Sequence, residues 1–169
     1  MPSKDTDTTT TTKETATEER ESYQPNYVLP IEKWDFIDYG TFEQILEMDD
    51  EDEERDFSRA IVHGFMEQAE QTFKEMRACL EKKDLTQLSS LGHFLKGSSA
   101  TLGLTNVKDH CEKIQNFGLG RDETGTTNIE DPEVSLTGIR SALDEMTKEY
   151  ERAKLHLTEY YEGPGNKQS

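Results

Sequence analysis

The sequence predicts an all-α fold: an antiparallel four-helix bundle with a short additional N-terminal helix and a disordered N-terminal tail. Three observations carry that expectation. Apolar residues recur at steps of three and four through much of the chain after residue 39, which places them on one face of a helix. Asp84, Gly103, Gly118 and the triplet Asp131-Pro132-Glu133 interrupt the pattern as start and stop signals at helix-length intervals. No stretch shows the period-two alternation of a half-buried strand.

Residues 1–26 read as a Thr-rich acidic tail. The first 24 hold eight threonines and three hydrophobic residues, too little apolar surface to offset the entropy of ordering the backbone. The run Thr8–Thr12 lacks the basic or proline context that would specify a kinase, so a plain linker is the simpler reading. Val28, Leu29, Ile31, Trp34 and Phe36 then form an irregular, packed lead-in. A short helix from residue 39 carries Phe42, Ile45, Leu46 and Met48 on one face and ends in the acidic run Asp49-Asp50-Glu51-Asp52-Glu53-Glu54. Acids there complement the positive end of the next helix.

That second helix, about 53–81, is read with Phe57, Ile61, Phe65, Met66, Ala69, Phe73, Met76 and Leu80 in one broad stripe. The third, about 84–102, is capped by Asp84 and stops before Gly103, a residue suited to a left-handed helix end. Leu88, Leu91, Leu95 and Leu102 mark its buried side. The fourth, about 105–117, carries Val107, Cys111 and Ile114 after Leu104 and stops at Gly118; a polar loop with three glycines follows. Asp131 caps the last helix, with Pro132 in its first turn. Its stripe runs Leu136, Ile139, Leu143, Met146, Tyr150, Ala153, Leu157, Tyr160.

Composition narrows the function. The 169 residues carry a formal charge of −17 and are 31% hydrophobic, with a pI near 4.6. No basic stripe exists to neutralise phosphates, which excludes nucleic acid as a partner. No apolar run approaches the roughly 20 residues that span a bilayer, and signal-peptide features are missing, so no membrane partner is expected and the chain reads as soluble and intracellular. Cys79 and Cys111 fall within helical patterns and read as reduced thiols.

The chemistry converges on one histidine. At about 100° per residue, with Leu91 at zero, Leu88, Leu95 and Leu102 lie near 60°, 40° and 20°, whereas His93 lies near 200°, facing solvent. Lys96 is near 140°, one turn away, and Gly97 near 240°. Glycine is a poor helix former, so Gly92, Gly97, Ser98 and Ser99 within eight residues need a reason. Ser98, near −20°, is expected to face the bundle and permit close helix packing. Gly97 is expected to leave space beside the imidazole for a phosphoryl group or another protein's backbone. An exposed imidazole is a usable nucleophile, and Lys96 can offset the charge of an attached phosphoryl group; a surface histidine without a role is the competing reading.

Other chemistries lack support. Gly92 and Gly97 have phosphate-loop spacing, but Ser98 holds the lysine position and the context is a continuous helix. His63, His110 and His156 lie on separate helices without HExxH or paired Cys-x-x-Cys, so neither a metal nor a cofactor of the chain's own is expected.

The stretch Leu91-Gly-His-Phe-Leu-Lys-Gly-Ser-Ser-Ala-Thr-Leu-Gly-Leu104 resembles the phosphorylation motif of histidine-containing phosphotransfer (HPt) proteins. The resemblance extends to Met48-Asp49-Asp50, Asp56-Phe57-Ser58, Gln68-Ala69, Phe73 and Cys111-Glu-Lys-Ile-Gln-Asn116. It is similar to the fungal phosphorelay intermediates of osmosensing over roughly residues 34–161. The tail lies outside it, and the loop 118–133 is poorly matched. The resemblance implies an HPt four-helix-bundle domain at 27–162, with 163–169 a disordered end.

It further implies a carrier without autonomous activity. His93 takes a phosphoryl group from a receiver-domain aspartate of a hybrid sensor histidine kinase and passes it to a response regulator in osmotic or oxidative stress signalling, in the cytoplasm and nucleus. Lys96 is the nearby cation, Gly97 the access gap, and Gln115 and Gln68 bond around the imidazole unless they are buried, satisfied amides. The receiver supplies Mg2+. Docking is expected on Ile45, Met48, Phe57, Ile61 and Phe94, although core packing competes, most of all for Ile61. Asp49, Asp50 and Asp52 form a polar rim tuning partner choice, or serve helix-start electrostatics equally well. A monomer is expected. The alternative from another class is a noncatalytic helical adaptor that binds receivers without being phosphorylated; an ATP-dependent enzyme fails for want of a nucleotide site.

Overall fold

The structure is a computed structural model that describes residues 29–50 and 54–163. The tail expected at 1–26, residues 164–169 of the disordered end expected at 163–169, and Asp52 lie outside the described residues, whereas Gly163 is ordered and buried as the C-cap of the last helix. Among the described residues, five helices follow a 3-10 turn at Ile31–Lys33: α1 (Tyr39–Leu46), α2 (Asp56–Glu81), α3 (Leu85–Leu102), α4 (Thr105–Gly118) and α5 (Pro132–Glu162). The last four pack around one core, α3 against α2 and α4, and α5 against α2 and α4, while α1 lies on α2 and α3. Phe65, Met76, Leu88, Leu95, Ile114, Ile139, Met146 and Tyr150 fill that core.

Local chemistry sets most boundaries. The Asp84 carboxylate accepts from the Gln87 N–H at the start of α3, and Asp131 accepts from Glu133 N–H at the start of α5, with Pro132 at the first position. Gly103 ends α3 at φ 79°, a left-handed conformation that favours glycine. α2 starts at Asp56 rather than 53, because Arg55 turns left-handed at φ 51°. Its first turn is capped from a distance: Asp49 accepts from Ser58 N–H at 2.7 Å and from Ser58 Oγ at 2.6 Å. The Tyr161 hydroxyl of α5 donates to the same Ser58 Oγ at 2.7 Å.

The apolar stripe of α2 is displaced from its expected position. Val62 is buried while Ile61 and Met66 are only partly so, and Phe57 is 45% exposed. The face of α2 is centred by Ser58, Val62, Phe65 and Ala69, and the apolar count alone had drawn it toward Phe57. On α3 the buried serine is Ser99, whose Oγ donates to Leu95 O; Ser98 is half-buried at the edge. Both thiols are free, and burial pushes that of Cys111 up to about 12.

The lead-in packs as expected, with Trp34, Phe36 and Ile37 buried. His156 fastens it: the Leu29 N–H donates to Nε2 at 3.1 Å, and Nδ1 lies 2.9 Å from Arg152 O, which puts the ring proton on Nδ1. Between α4 and α5 the polar loop is built on Asp122, whose carboxylate accepts from Thr124 Oγ1, Thr126 N–H and Thr127 N–H. Those bonds hold its carboxyl at about 2, below the ordinary 3.8. A carboxyl lowered on folding contributes order that is present above its ordinary pKa and is lost as pH falls through the lowered value. The Thr126 and Thr127 amide resonances should therefore move toward random-coil positions between about pH 4 and 2, and Asp122→Asn should show that shift already at pH 7.

Candidate functional site

His93 is held outward by its own helix. Leu88, Leu91, Leu95 and Leu102 are buried, Gly92 and Ser99 complete the inner face, and His93 is exposed. The adjacent Gly92 explains what lies beside the ring. A Cβ on Gly92 would stand 2.9 Å from Cys111 O and 3.0 Å from Gln115 N, so α3 and α4 touch backbone to side chain position. Ser89 Oγ donates to Gln115 O at 3.1 Å. Drawn in this way, Gln115 places its amide nitrogen 3.3 Å from His93 Nδ1.

That contact couples the orientation of the amide to which ring nitrogen is the nucleophile. With the amide NH2 donating to Nδ1, the ring proton resides on Nε2. Turning the amide presents Oε1 to an Nδ1–H and leaves the Nε2 lone pair directed at solvent. Gln115 is thus positioned to fix the tautomer as well as the ring angle.

The other expected residues sort unequally. Lys96 is half-buried one turn from His93. A Cβ on Gly97 would meet nothing within 4 Å, so the space inferred beside the imidazole exists. Gln68 does not bond the imidazole; its Oε1 accepts from Ser98 Oγ at 3.1 Å, because that edge of α2 faces Ser98. Phe94 is 48% and Met48 65% exposed, whereas Ile45, 7% exposed, packs in the core. Asp49 is committed to capping α2. Asp50, with Met48, Glu54, Arg55, Asp56 and Phe57, lines a cavity of about 180 Å3 at the corner between α1 and α2.

Three exposed apolar residues escaped the sequence reading, Tyr39, Val134 and Leu119; the one near the site is Leu119, whose N–H bonds Gln115 O one turn back. The four-residue step from Gln115 was the available signal. Among the described residues no group of three or more His, Cys, Asp or Glu is placed to hold a metal ion, and no helix is long and apolar enough to cross a membrane.

A helical bundle that presents His93 to solvent, with an amide on Nδ1 and a bare helix turn beside it, fits a phosphotransfer class of protein. Residues 60–153 match the Hpt domain family, and the chain belongs to it. Multistep phosphorelay regulator 1 of Schizosaccharomyces pombe is 46% identical over 132 residues, 78% of this chain and 44% of the relative. The phosphorelay intermediate protein YPD1 of Saccharomyces cerevisiae is 32% identical over 75% of this chain and 94% of its own length. The chain spans 44% of the length of the Schizosaccharomyces pombe and Candida albicans relatives. Among solved structures, Saccharomyces cerevisiae Ypd1 with the receiver domain of its downstream response regulator Ssk1 matches at a TM-score of 0.66 and 36% identity, covering 75% of this chain and 95% of that one. The family and these relatives are phosphorelay intermediates rather than classical enzymes.

Proposed function

We propose that this chain is the histidine phosphotransfer intermediate of a multistep phosphorelay. His93 Nε2 attacks the phosphorus of a receiver's aspartyl phosphate; the N–P bond forms as the acyl O–P bond breaks and the aspartate leaves as carboxylate. With the Gln115 amide turned so that Oε1 faces the ring, the proton on Nδ1 stays there and stabilises the phosphoimidazolium. Transfer onward to a response-regulator aspartate reverses these steps. The donor is the receiver of a hybrid sensor histidine kinase, and the relay serves osmotic or oxidative stress signalling in the cytoplasm and nucleus, as the resemblance implies.

The carrying observation is the His93–Gln115 contact beside the open turn at Gly97. Phosphoryl transfer needs in-line positioning and charge neutralisation; this chain supplies the first, with Lys96 as its cation, and the receiver brings Mg2+ and its acidic pocket. A purified phosphorylated receiver should give the chain an acid-labile label, and labelled ATP alone should give none; a labelled chain with ATP alone removes the carrier reading.

Gly97→Gln tests access. The substitution replaces a poor helix former where space is open, so stability rises by up to about 1 kcal/mol. The added side chain stands where the receiver must close on His93. The ratio of labelling by receiver to labelling by phosphoramidate, a donor small enough to avoid it, should fall on the order of tenfold or more.

A further inference from the structure

Ser89 has no part in the reaction as described, yet it holds a residue that does. It lies one turn before His93 on α3 and about 40° from it around the helix. Leu85, Ser89 and Gly92 fall within about 60° of one another, and α4 lies along that seam. A Cβ on Gly118 would stand 2.7 Å from Ser89 Cβ and 2.8 Å from Leu85 O, just as one on Gly92 would stand 2.9 Å from Cys111 O. Gln115 falls between these two close passes.

α3 thus grips Gln115 at both ends. The main-chain carbonyl of Gln115 accepts from Ser89 Oγ at 3.1 Å, and its side-chain amide nitrogen lies 3.3 Å from His93 Nδ1. Ser89 is 7% exposed, and a buried hydroxyl is costly to leave without an acceptor, so burial keeps this bond made. It meets α4 where that helix holds its own backbone least firmly. Carbonyls in a last turn run out of partners along the helix, and the Leu119 N–H is shared between Gln115 O and Asn116 O, each at 3.1 Å. Ser89 Oγ gives the Gln115 carbonyl a second bond, anchored on the helix that carries the nucleophile.

We infer that Ser89 is a positioning residue for phosphotransfer, which acts through the Gln115 carbonyl to hold the Gln115 amide on the His93 ring. This rests on the phosphotransfer reading above, in which the amide governs the tautomer that attacks phosphorus. Without the Ser89 hydroxyl the last turn of α4 is free to move away from α3, and the amide moves with it.

The test is a double-mutant cycle on the full chain: parent, Ser89→Ala, Gln115→Ala and the double variant. Each is labelled by phosphoramidate, which needs no receiver and releases ammonia as the N–P bond to His93 forms. Ser89→Ala should slow labelling about threefold or more in the parent and leave the rate of Gln115→Ala unchanged, because the amide it positions is already gone. The nitrogen resonances of the His93 ring give a second readout that needs no phosphate: Ser89→Ala should move Nδ1 and Nε2 toward their positions in Gln115→Ala. An unchanged rate for Ser89→Ala, equal slowing in both backgrounds, or ring resonances of Ser89→Ala that coincide with the parent's would each overturn the inference. A parent chain that takes no label on His93 overturns the phosphotransfer reading instead, and the ring resonances then decide whether Ser89 holds the amide.

Discussion

A His93→Gln chain should bind receiver domains with unchanged affinity, melt at the same temperature and take no detectable label from a phosphorylated receiver. His93 is exposed and makes one side-chain contact, to Gln115, so its replacement lies in the class of surface substitutions worth within about ±0.5 kcal/mol. Glutamine retains size and hydrogen bonding, but its amide nitrogen has no free lone pair to attack phosphorus. The effect therefore falls on chemistry alone. The measurement is acid-labile label per mole of chain beside a binding isotherm. Undiminished labelling sinks the assignment of His93, and the combination of binding with no label in the parent chain itself would establish the noncatalytic adaptor.

Gly92→Ala should lower the stability of the bundle. The new Cβ would stand 2.9 Å from a carbonyl oxygen, 3.0 Å from a backbone nitrogen and 3.3 Å from Ile114 Cγ2, and backbone cannot rotate aside as a side chain can. Overpacking of this kind costs about 1–3 kcal/mol or more, which exceeds the gain of up to about 1 kcal/mol from replacing glycine in a helix. A fall in melting temperature of roughly 5–10 °C is expected for a domain of this size. Because one of the displaced atoms belongs to Gln115, the imidazole loses its amide partner as well. Labelling by phosphoramidate should slow in Gly92→Ala, and a melting temperature at or above that of the parent would show that α3 and α4 do not meet as closely as described.

The contrast between Gly92 and Gly97 shows what the sequence can disclose. The helices were legible because apolar spacing and terminal residues are local: Asp84, Gly103 and Asp131 each act within a few positions of themselves. The outward direction of His93 was legible for the same reason. Neighbours were not. A helical angle places Gln68 on an edge but does not say that Ser98, rather than the imidazole, stands opposite. The leucines alone turn Ser98 toward the bundle, whereas Gly92, invisible to hydropathy, shifts the true centre of the buried face toward Ser99. Asp49 was read through the charge of its run; its capping bond to Ser58 spans nine residues around a corner and exists only once α1 and α2 have met. Ile45 has the same cause, being covered by elements that no local pattern places beside it.

The hydroxyl of Tyr161 has a consequence for how the molecule can be handled. Through Ser58 it reaches Asp49, so the last turn of α5 acts as a clasp on the corner that carries Met48 and Phe57. Arg59 reinforces it by donating to Tyr161 O at 3.3 Å. A chain clipped by a protease just before Tyr161 would retain His93, Gln115 and most of its core, and would still be chemically able to carry phosphate. What it would lose is the fixed spacing between that corner and the histidine.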